Sequence, residues 1–283
     1  MTGFSAQWLA LREPADHRAR DVSLRDQVVH DLDHLARVRP GAIKVVDLGC
    51  GSGSNLRALA PHLPATQHWT LVDYDPALLS AAKVALTQWA DQTVSDQGTL
   101  VLLKNGKQLS VEFLCEDLSN NLETVLALPK DLLTAAAFFD LVAASWLERF
   151  CGLLRSPLYT VLTYNGIEIW QPPEPMDAAM LKAFHAHQQT DKGFGAAAGP
   201  NAADVMETLL KARGFAVSTA QSPWKLAAAD RNLIEQLAIG SAGAVLETKQ
   251  VPVEDVTAWK QSRSVAQTCE IGHTDLYARP RQF

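Results

Sequence analysis

A run of closely spaced glycines follows the first strongly apolar segment of the chain. Gly49, Gly51 and Gly53 come directly after residues 43–48, a short β-branched run that predicts a buried strand. Glycine lets the backbone turn tightly and approach a bound molecule without a side chain in the way. Asp73 ends a second predicted strand, and its carboxylate can accept hydrogen bonds from both hydroxyls of a ribose. We therefore predict a nucleoside-binding site formed by the glycines and Asp73.

The glycine spacing discriminates between kinds of nucleoside cofactor. A dinucleotide-binding GxGxxG motif needs its third glycine at position 54, where this chain has Ser54. The observed spacing is GxGxG, preceded by Asp47, and a further acid, Asp117, ends the third predicted strand. A lone GxGxG is weak evidence, but its place between a strand and a helix, with acids after the next two strands, strengthens it. An NAD(P) oxidoreductase is disfavoured and stays an alternative.

Alternating strands and helices must position these residues. Strands are predicted at 43–48, 69–73, 111–115, 138–144 and 158–162. Asp75 and Pro76 are a favoured cap and first residue for the helix after the second strand. Such alternation predicts a parallel sheet with helices on both faces, in which ligands bind beyond the carboxyl ends of the strands.

The rest of the chain follows a looser pattern. Asn105 and Gly106 predict a hairpin between two β-rich runs. Helices are expected near 178–188 and 202–210 and over much of 230–267, with a last strand at 271–278. No linker-like stretch divides the chain, so we expect residues 1–40 to form an N-terminal helical arm or lid. Residues 41–283 would form one α/β domain with cover insertions near 166–200 and 222–268.

Four motifs resemble those of a known family. VVDLGCGSGSNL and LVDYDPALL resemble the first two motifs of class I S-adenosylmethionine-dependent methyltransferases. FLCEDL resembles the third motif, and FFDLVAASWL the segment at the fourth strand, so the resemblance covers about 43–147. It implies a Rossmann-like fold with a mostly parallel seven-stranded sheet whose last strand is antiparallel. It also implies S-adenosylmethionine as the cofactor and S-adenosylhomocysteine as the product.

The resemblance assigns roles to individual positions of this chain. It places the three glycines beside the methionine part of the cofactor, Asp73 on the ribose hydroxyls and Asp117 at the adenine amino group. The complete set of expected cofactor-binding residues is Asp47, Gly49, Gly51, Gly53, Asp73, Tyr74, Asp117, Leu118, Ser145 and Trp146.

The remaining members of this set have more local roles in the resemblance. Tyr74 would pack on the adenine and Leu118 beside its ring, while Ser145 and Trp146 would lie near the sulfonium. Asp47 would either brace the glycine loop through backbone N–H groups or contact the ligand.

The acceptor site carries weaker signals, in the second half of the chain. Its candidates are Tyr164 and His187 as catalytic groups, and Arg12, Asn165 and Trp224 as substrate-binding groups. Tyr164 follows the fifth predicted strand, at the edge where a substrate would bind. His185 and His187 lie two residues apart on a predicted helix and point to different faces, which is wrong for a shared metal. The alternatives are a surface histidine, a solvated Arg12 and a Trp224 that merely packs against a helix.

Several motifs of other methyltransferases are absent from the sequence. Residues 143–146 read AASW, which lacks the Asn/Asp-Pro-Pro-aromatic motif of enzymes that methylate base amines or glutamine amides. Metal-binding acids of the catechol type and a Pro-Cys nucleophile are missing as well. We therefore expect metal-independent, in-line methyl transfer to a small molecule. Transfer to RNA or protein, and a non-catalytic cofactor-binding regulator, stay open.

Composition restricts the class of protein further. The chain has 283 residues and a formal charge of −6, which disfavours nucleic acid as a partner, and its longest apolar run is interrupted by Asp140. The first residues lack the pattern of a signal peptide. The cysteines are far apart, which predicts reduced thiols in a cytoplasmic protein; they are Cys50, Cys115, Cys151 and Cys269. We expect a monomer or homodimer with a small-molecule acceptor and no membrane association.

Overall fold

The computed structural model describes residues 4–96, 99–191 and 193–281. The helices in this part of the chain are α1 (Ala6–Ala19), α2 (Val22–Val38), α3 (Ser54–Leu59), α4 (Pro76–Trp89), α5 (Leu122–Leu126), α6 (Ala144–Leu153), α7 (Asp177–Gln188), α8 (Ala202–Ala212), α9 (Arg231–Thr248) and α10 (Val253–Arg263). The strands are β1 (Ile43–Leu48), β2 (Thr66–Asp73), β3 (Gln92–Asp96), β4 (Thr99–Lys104), β5 (Lys107–Cys115), β6 (Leu132–Ala136), β7 (Leu158–Gln171), β8 (Phe215–Gln221), β9 (Trp224–Leu226) and β10 (Thr268–Pro280). Along these described parts, no helix combines the length and apolar character needed to cross a bilayer.

All the strands join one sheet. Its order is β3-β4-β5-β2-β1-β6-β7-β10-β8, and β9 pairs with β10. Strands β5, β2, β1, β6 and β7 are parallel, whereas β10 is antiparallel to both of its neighbours, β7 and β8. The prediction of a mostly parallel Rossmann-like sheet with an antiparallel last strand is therefore confirmed. The hairpin strands β3 and β4, and the short β9, extend the sheet to ten strands.

The strand order reverses at β1. The chain passes from β1 to β2 on one side and adds β6 on the other side later. In an open parallel sheet such a reversal leaves a crevice at the carboxyl ends of the strands. Gly49 follows the last residue of β1, so the glycine loop begins at this crevice.

Strand β1 is apolar on both sides because it lies between two helical layers. Ile43 and Val45 pack into one core, which includes residues of α2, α4 and α9. Val46 and Leu48 pack into a second core, which includes residues of α5, α6 and α8. Since successive side chains of a strand point to opposite faces, this alternation explains why the strand reads as a continuous apolar run.

The predicted fourth strand is in the wrong place. Residues 138–144 form a 3₁₀ turn at Phe139–Leu141 and the start of α6, and the strand in the sheet is β6, which precedes them. The run from 132 to 147 is apolar almost throughout, so its periodicity does not locate a strand. Asp131 sets the register through tertiary contacts. Its N–H donates to the Lys44 carbonyl at 2.8 Å, and its carboxylate accepts from the Lys44 N–H at 2.8 Å.

Strand β7 is longer than the predicted 158–162. It pairs with β6 through its first residues and continues beyond β6 along β10, where Tyr164 pairs with His273 and Gln171 with Thr268. The first residues of the expected cover insertion at 166–200 therefore belong to the sheet. Tyr164 and Glu168 lie on this projecting part of the strand.

A buried carboxylate joins the two ends of the chain. Asp275 of β10 is completely buried, and its Oδ1 accepts hydrogen bonds from the Leu162 N–H at 2.8 Å and the Ser222 hydroxyl at 2.5 Å. Its Oδ2 accepts from the N–H of Asp21, the cap residue of α2, at 2.9 Å. Burial raises the pKa of Asp275, and the hydrogen bonds offset part of this effect. The N-terminal helices are thus connected to the last strand and to β7.

We predict that Asp275→Ala lowers the free energy of unfolding by about 2–4 kcal/mol, because it leaves buried donors without an acceptor. Urea denaturation measures this loss. Asp26→Ala is the control, since the Asp26 side chain is 61% exposed. Equal stability of the two variants would show that Asp275 does not join these elements.

Candidate functional site

The glycine loop has a backbone that other residues rarely adopt. Gly49 and Gly51 have φ angles of +59° and +52°, in the left-handed region. The Cys50 N–H donates to the Val72 carbonyl at 3.0 Å, which attaches the loop to the end of β2. The loop therefore lies across the carboxyl ends of β1 and β2, and α3 starts directly after it.

Asp73 is held at the end of β2 by backbone donors. Its Oδ2 accepts from the Gly51 N–H at 2.9 Å and its Oδ1 from the Asp75 N–H at 3.0 Å. The residue is 5% exposed, and burial raises the pKa of the carboxyl although these two N–H groups lower it. Each carboxylate oxygen has about two acceptor sites, so each keeps capacity for a further hydrogen bond. The carboxylate is held in place and still has acceptor sites, so it can bind the two hydroxyls of a ribose.

Asp47 braces the start of α3 through a side chain. Its Oδ1 accepts from Asn55 Nδ2 at 2.7 Å, and the same amide contacts Thr134 Oγ1 at 3.1 Å. Asp47 Oδ2 has no hydrogen-bond partner among the described residues. Burial raises the pKa of Asp47 to about 7, and the Asn55 hydrogen bond offsets only part of this rise. Asp47 therefore contacts the Asn55 side chain in α3, whereas the sequence predicted bracing of the loop through backbone N–H groups and did not single out Asn55.

The residues expected at the adenine lie at the rim of this edge. Asp117 accepts hydrogen bonds from the Ser119 N–H and from Asn120 Nδ2, both at 2.8 Å. Although partial burial raises the pKa of Asp117, these hydrogen bonds lower it overall. Tyr74 is 46% exposed and Leu118 is buried. The rim thus offers an exposed aromatic face and a buried apolar side chain near Asp73.

An aromatic cluster covers the other end of the glycine loop. The Phe138 ring lies so close to Gly49 that an added Cβ would be 2.7 Å from it. Its ring centroid is 5.8 Å from that of Trp146 and 5.9 Å from that of Phe194. Trp146 Nε1 donates to the Leu118 carbonyl at 3.0 Å, which connects the cluster to the adenine side. The sequence analysis assigned Phe138 no role in the site, because it predicted a strand at residues 138–144.

Ser145 and the loop that carries Phe194 lie beside this cluster. Ser145 is exposed on the first turn of α6, because the fourth strand ends before it. The Gly193 and Gly195 N–H groups donate to Asp191 Oδ1 at 2.7 and 2.9 Å, which shapes the loop that carries Phe194. Lys192, within the expected cover insertion at 166–200, lies outside the described residues.

Helix α1 covers the glycine loop from the N-terminal arm. A Cβ added at Gly51 would be 2.9 Å from Leu9 Cδ1. Glu13 binds Arg57 of α3 with distances of 2.8 and 2.5 Å. His17 Nε2 lies 3.0 Å from Ser54 Oγ. The arm is therefore packed directly against the residues predicted to bind the cofactor.

On the acceptor side, Tyr164 is the centre of a polar network. It is 7% exposed, and its hydroxyl lies 3.1 Å from Glu168 Oε1 and 3.0 Å from His185 Nε2. Burial raises the pKa of Glu168 to about 7, and the hydrogen bond from Tyr164 offsets only part of this effect. Burial lowers the pKa of His185. Near neutral pH the network therefore contains a neutral imidazole and a carboxyl group close to half-ionised.

Arg12 and Trp224 contact each other, and His273 lies between Trp224 and Tyr164. The Arg12 guanidinium lies 5.1 Å from the centroid of the Trp224 ring, and both side chains bind Asp16, at 2.8 and 3.1 Å. The Trp224 ring is 5.1 Å from His273, whose own ring is 6.4 Å from Tyr164. Three distant segments, α1, β9 and the β7–β10 pair, thus converge on this point.

His187 and Asn165 are not part of the Tyr164 network. His187 Nε2 pairs with Glu247 of α9 at 3.0 Å, where the Glu247 side chain is 73% exposed. Asn165 Nδ2 donates to Gln221 Oε1 at 2.8 Å. Glu168 lies four residues after Tyr164 on the same strand, so strand periodicity identifies it once β7 is known to be long.

Comparisons with known proteins identify the fold. No family model and no curated protein matches the chain. A cyclopropane-fatty-acyl-phospholipid synthase-like protein from Lactobacillus casei has a TM-score of 0.51 and 15% identity, covering 97% of this chain and 94% of that one. The YcgJ protein from Bacillus subtilis has a TM-score of 0.46 and 11% identity, covering 89% of this chain and 98% of that one. Magnesium protoporphyrin IX methyltransferase from Synechocystis, solved with S-adenosylmethionine, has a TM-score of 0.44 and 11% identity, covering 99% of this chain and 86% of that one.

These likenesses concern the fold and not the activity. The strand order, the reversal at β1 and the antiparallel β10 define a Rossmann-like α/β fold, and the likeness to the Lactobacillus casei protein agrees with it. In this fold the carboxyl edge of the sheet carries Asp73 and the glycine loop. The same edge carries Tyr164 on the projecting part of β7.

We predict that Gly51→Ala destabilises the protein more than Gly106→Ala does. Both positions have positive φ, at +52° and +74°, and share a conformational penalty of about 1–2 kcal/mol. An added Cβ at Gly51 also meets Leu9, whereas nothing lies within 4 Å at Gly106. The extra loss should be about 1 kcal/mol in urea denaturation, and Leu9→Ala in the Gly51→Ala background should relieve it. Equal losses at the two glycines would contradict the packing of α1 on the loop.

A second prediction concerns Glu168. Its pKa in the folded protein, about 7, lies above the ordinary value of 4.5, so the folded state holds this proton more tightly than the unfolded state. The stability of the wild type should therefore fall, relative to Glu168→Gln, as pH rises from about 5 to about 8. The change should be a few kcal/mol, at about 1.4 kcal/mol per pKa unit. Glu112→Gln is the exposed control, and a pH-independent difference for Glu168→Gln would show an ordinary pKa.

Proposed function

We propose that the protein is a class I S-adenosylmethionine-dependent methyltransferase that acts on a small-molecule acceptor by metal-independent, in-line transfer. The observation that carries this proposal is the hydrogen bond between the Gly51 N–H and Asp73 Oδ2, 2.9 Å long, at the carboxyl edge of the sheet. It places a glycine loop with positive φ beside a carboxylate that keeps free acceptor sites. This pair fits a nucleoside ligand better than it fits a purely structural turn.

The residues at this edge also fit the other parts of the cofactor. Asp73 would hold the ribose, while Tyr74, Asp117 and Leu118 would surround the adenine. The glycines would adjoin the methionine part, together with Asp47, whose Oδ2 has no partner among the described residues. Trp146, with Phe138 packed beside it, would close the site near the reacting methyl group, with Ser145 at its rim.

When bound, S-adenosylmethionine supplies an electrophilic methyl group on its sulfonium. The contribution of the chain is to align the acceptor with this group and to exclude water, and good alignment is worth roughly 7–11 kcal/mol. Helix α1 packs on the glycine loop, and Phe194 packs on the aromatic cluster. Both would keep water out of the site. The acceptor would lie between these covers and the end of β7.

Tyr164 is the proposed catalytic group on the acceptor side. Its hydroxyl lies 3.0 Å from His185 Nε2 and 3.1 Å from Glu168 Oε1, and its single proton is donated to one of them at a time. When the hydroxyl donates to a neutral His185, that imidazole can take the Tyr164 proton while Tyr164 takes the proton that leaves the acceptor. Such proton transfer contributes about 10²–10⁴-fold where the acceptor still carries its proton. We propose His185 in this position in place of His187, which pairs with Glu247. Arg12 and Trp224 would bind the acceptor, whereas Asn165 contacts Gln221.

The covered position of Tyr164 supports a small acceptor. A side chain that is 7% exposed, beneath α7, offers little access to a macromolecular surface.

The N-terminal arm at 1–40 is proposed as the lid of the domain that follows it. The cytoplasmic location, expected from separate cysteines that are free in the structure, stays a prediction, as does the monomeric or homodimeric state.

We predict that S-adenosylmethionine and S-adenosylhomocysteine raise the melting temperature, and that Asp73→Asn removes most of this rise. A ligand that binds only the folded state adds about 2.7 kcal/mol of stability at a hundredfold excess over its Kd. Asp73→Asn replaces one carboxylate oxygen by a donor and so loses a ribose contact. Differential scanning fluorimetry and titration calorimetry measure both effects.

Asp91→Asn is the matched control, because Asp91 lies on the surface and pairs with Lys104. It should keep the full response to both sulfur ligands. A rise with NADH alone would favour an oxidoreductase, and no rise with either sulfur ligand would contradict the proposed cofactor. Binding without turnover of any acceptor would favour a regulatory protein.

A further inference from the structure

Two buried oxygens on the acceptor side lack hydrogen-bond donors. Asp140 lies in the 3₁₀ turn after β6 and is 7% exposed, and Gln188 at the end of α7 is 8% exposed. Gln188 Nε2 donates a long hydrogen bond of 3.4 Å to Asp140 Oδ2. Asp140 Oδ1 and Gln188 Oε1 have no partner among the described residues. Since buried polar atoms are normally paired, these two acceptors indicate a place for a donor.

The charges near these oxygens leave a negative excess. Arg12 lies within electrostatic range of Asp140, but its guanidinium already binds Asp16 through Nε at 2.8 Å and Nη2 at 3.1 Å. Burial raises the pKa of Asp140 to about 6, and Arg12 and the surrounding hydrogen bonds offset only part of this rise. Burial and Arg12 lower the pKa of His273 to about 3, so this imidazole is neutral. Glu168 adds a further carboxyl group beneath Tyr164.

Aromatic rings lie around the same place. The backbone N–H of Tyr164 contributes to the hydrogen bonding of Asp140, and the Tyr164 ring is 6.4 Å from that of His273. His273 is 5% exposed, its Nδ1 has no partner in the described parts of the chain, and the Trp224 ring lies 5.1 Å from it.

We propose that Asp140 and Gln188 form a subsite for an amine, which binds as an ammonium group. A nitrogen with two or more N–H donors satisfies Asp140 Oδ1 and Gln188 Oε1 together, and its positive charge balances the carboxylate. An alcohol has one O–H donor and satisfies one of the two oxygens. A carboxylate ligand repels Asp140. This inference rests on the proposed function, in which the occupant is the methyl acceptor, and it names the acceptor class as amines. Before transfer the ammonium group would lose one proton to His185 through Tyr164, so that the nitrogen lone pair can form the new C–N bond while the methyl C–S bond breaks and the sulfur keeps that electron pair.

The first test uses the wild-type chain and three probes that share one skeleton. Titration calorimetry near neutral pH compares phenethylamine, phenethyl alcohol and hydrocinnamate, which are cationic, neutral and anionic. Methylamine is added as a smaller ammonium probe. Each titration is made with and without S-adenosylhomocysteine, whose own binding is measured separately. Phenethylamine should bind at least about tenfold more tightly than the alcohol, as expected for a hydrogen bond to a charged group, and hydrocinnamate should not bind.

The second test removes the charge with little change of shape. Asp140→Asn should weaken phenethylamine binding by about tenfold or more and leave the alcohol unaffected. Asp26→Asn, at a surface carboxylate, is the matched control and should bind phenethylamine as the wild type does. Thermal unfolding of each variant checks that it is folded. The comparison of the probes on the wild-type chain does not depend on the variants.

The outcomes separate the subsite from the proposed function. Equal binding of the amine and the alcohol, tighter binding of hydrocinnamate, or no binding of either amine at millimolar concentration would overturn the amine subsite. Unchanged amine affinity in a folded Asp140→Asn variant would do the same. Binding of S-adenosylhomocysteine without amine preference leaves the proposed cofactor standing. Amine binding lost in Asp140→Asn, without binding of S-adenosylhomocysteine, supports the subsite and contradicts the methyltransferase.

Discussion

The hydrogen bond from the Gly51 N–H to the Asp73 carboxylate is the contact on which the arrangement of the site depends. It exists because β1 and β2 are adjacent and parallel, with Leu48 opposite Val72, so that their carboxyl ends meet. Gly51 has a left-handed backbone conformation, and in this conformation its N–H points to Asp73. A buried carboxylate is stable in this position because the backbone N–H groups of Gly51 and Asp75 hold it.

The same edge of the sheet concentrates carboxyl groups that burial makes hard to ionise. Asp47, Asp140 and Glu168 have pKa values of about 7, 6 and 7, and burial is the largest cause in each case. Holding these groups out of water disfavours the folded state near neutral pH unless donors or cations compensate. Perturbed carboxyl groups in a cleft are typical of functional sites. The position of these carboxyl groups therefore supports the proposal that the cofactor and the acceptor both bind at this edge.

The cover over the site is built from elements far apart in the chain. Helix α1 reaches the glycine loop through Leu9 and the start of α3 through Glu13, and it reaches the acceptor side through Arg12 and Asp16. One helix therefore contacts both halves of the proposed reaction site. Ala15 of α1 belongs to the apolar core, and Trp8, Leu11 and Ala19 pack against that core.

The sequence by itself determined the strand, the glycine loop, the second strand and its terminal acid, because these features are local. A β-branched run, glycines at positions with positive φ and an Asp-Pro helix start each encode their own backbone geometry. Apolar content alone did not locate the fourth strand. Residues 132–147 are apolar almost throughout, both in strand β6 and in the first turn of helix α6. The pairing of residues 132–135 with β1 places the strand before the turn, and Asp131 is hydrogen-bonded to Lys44 at its start.

Tertiary structure alone decided the acceptor side. The choice between His185 and His187 depended on which face of α7 meets β7, and helical spacing does not specify that face. Asp140 and Gln188 come together only because the turn after β6 and the end of α7 pack against each other. Their chemistry depends on burial and on missing partners, which arise when distant segments exclude water together. Local patterns therefore reveal the nucleoside end of the site, and packing defines the end that receives the acceptor.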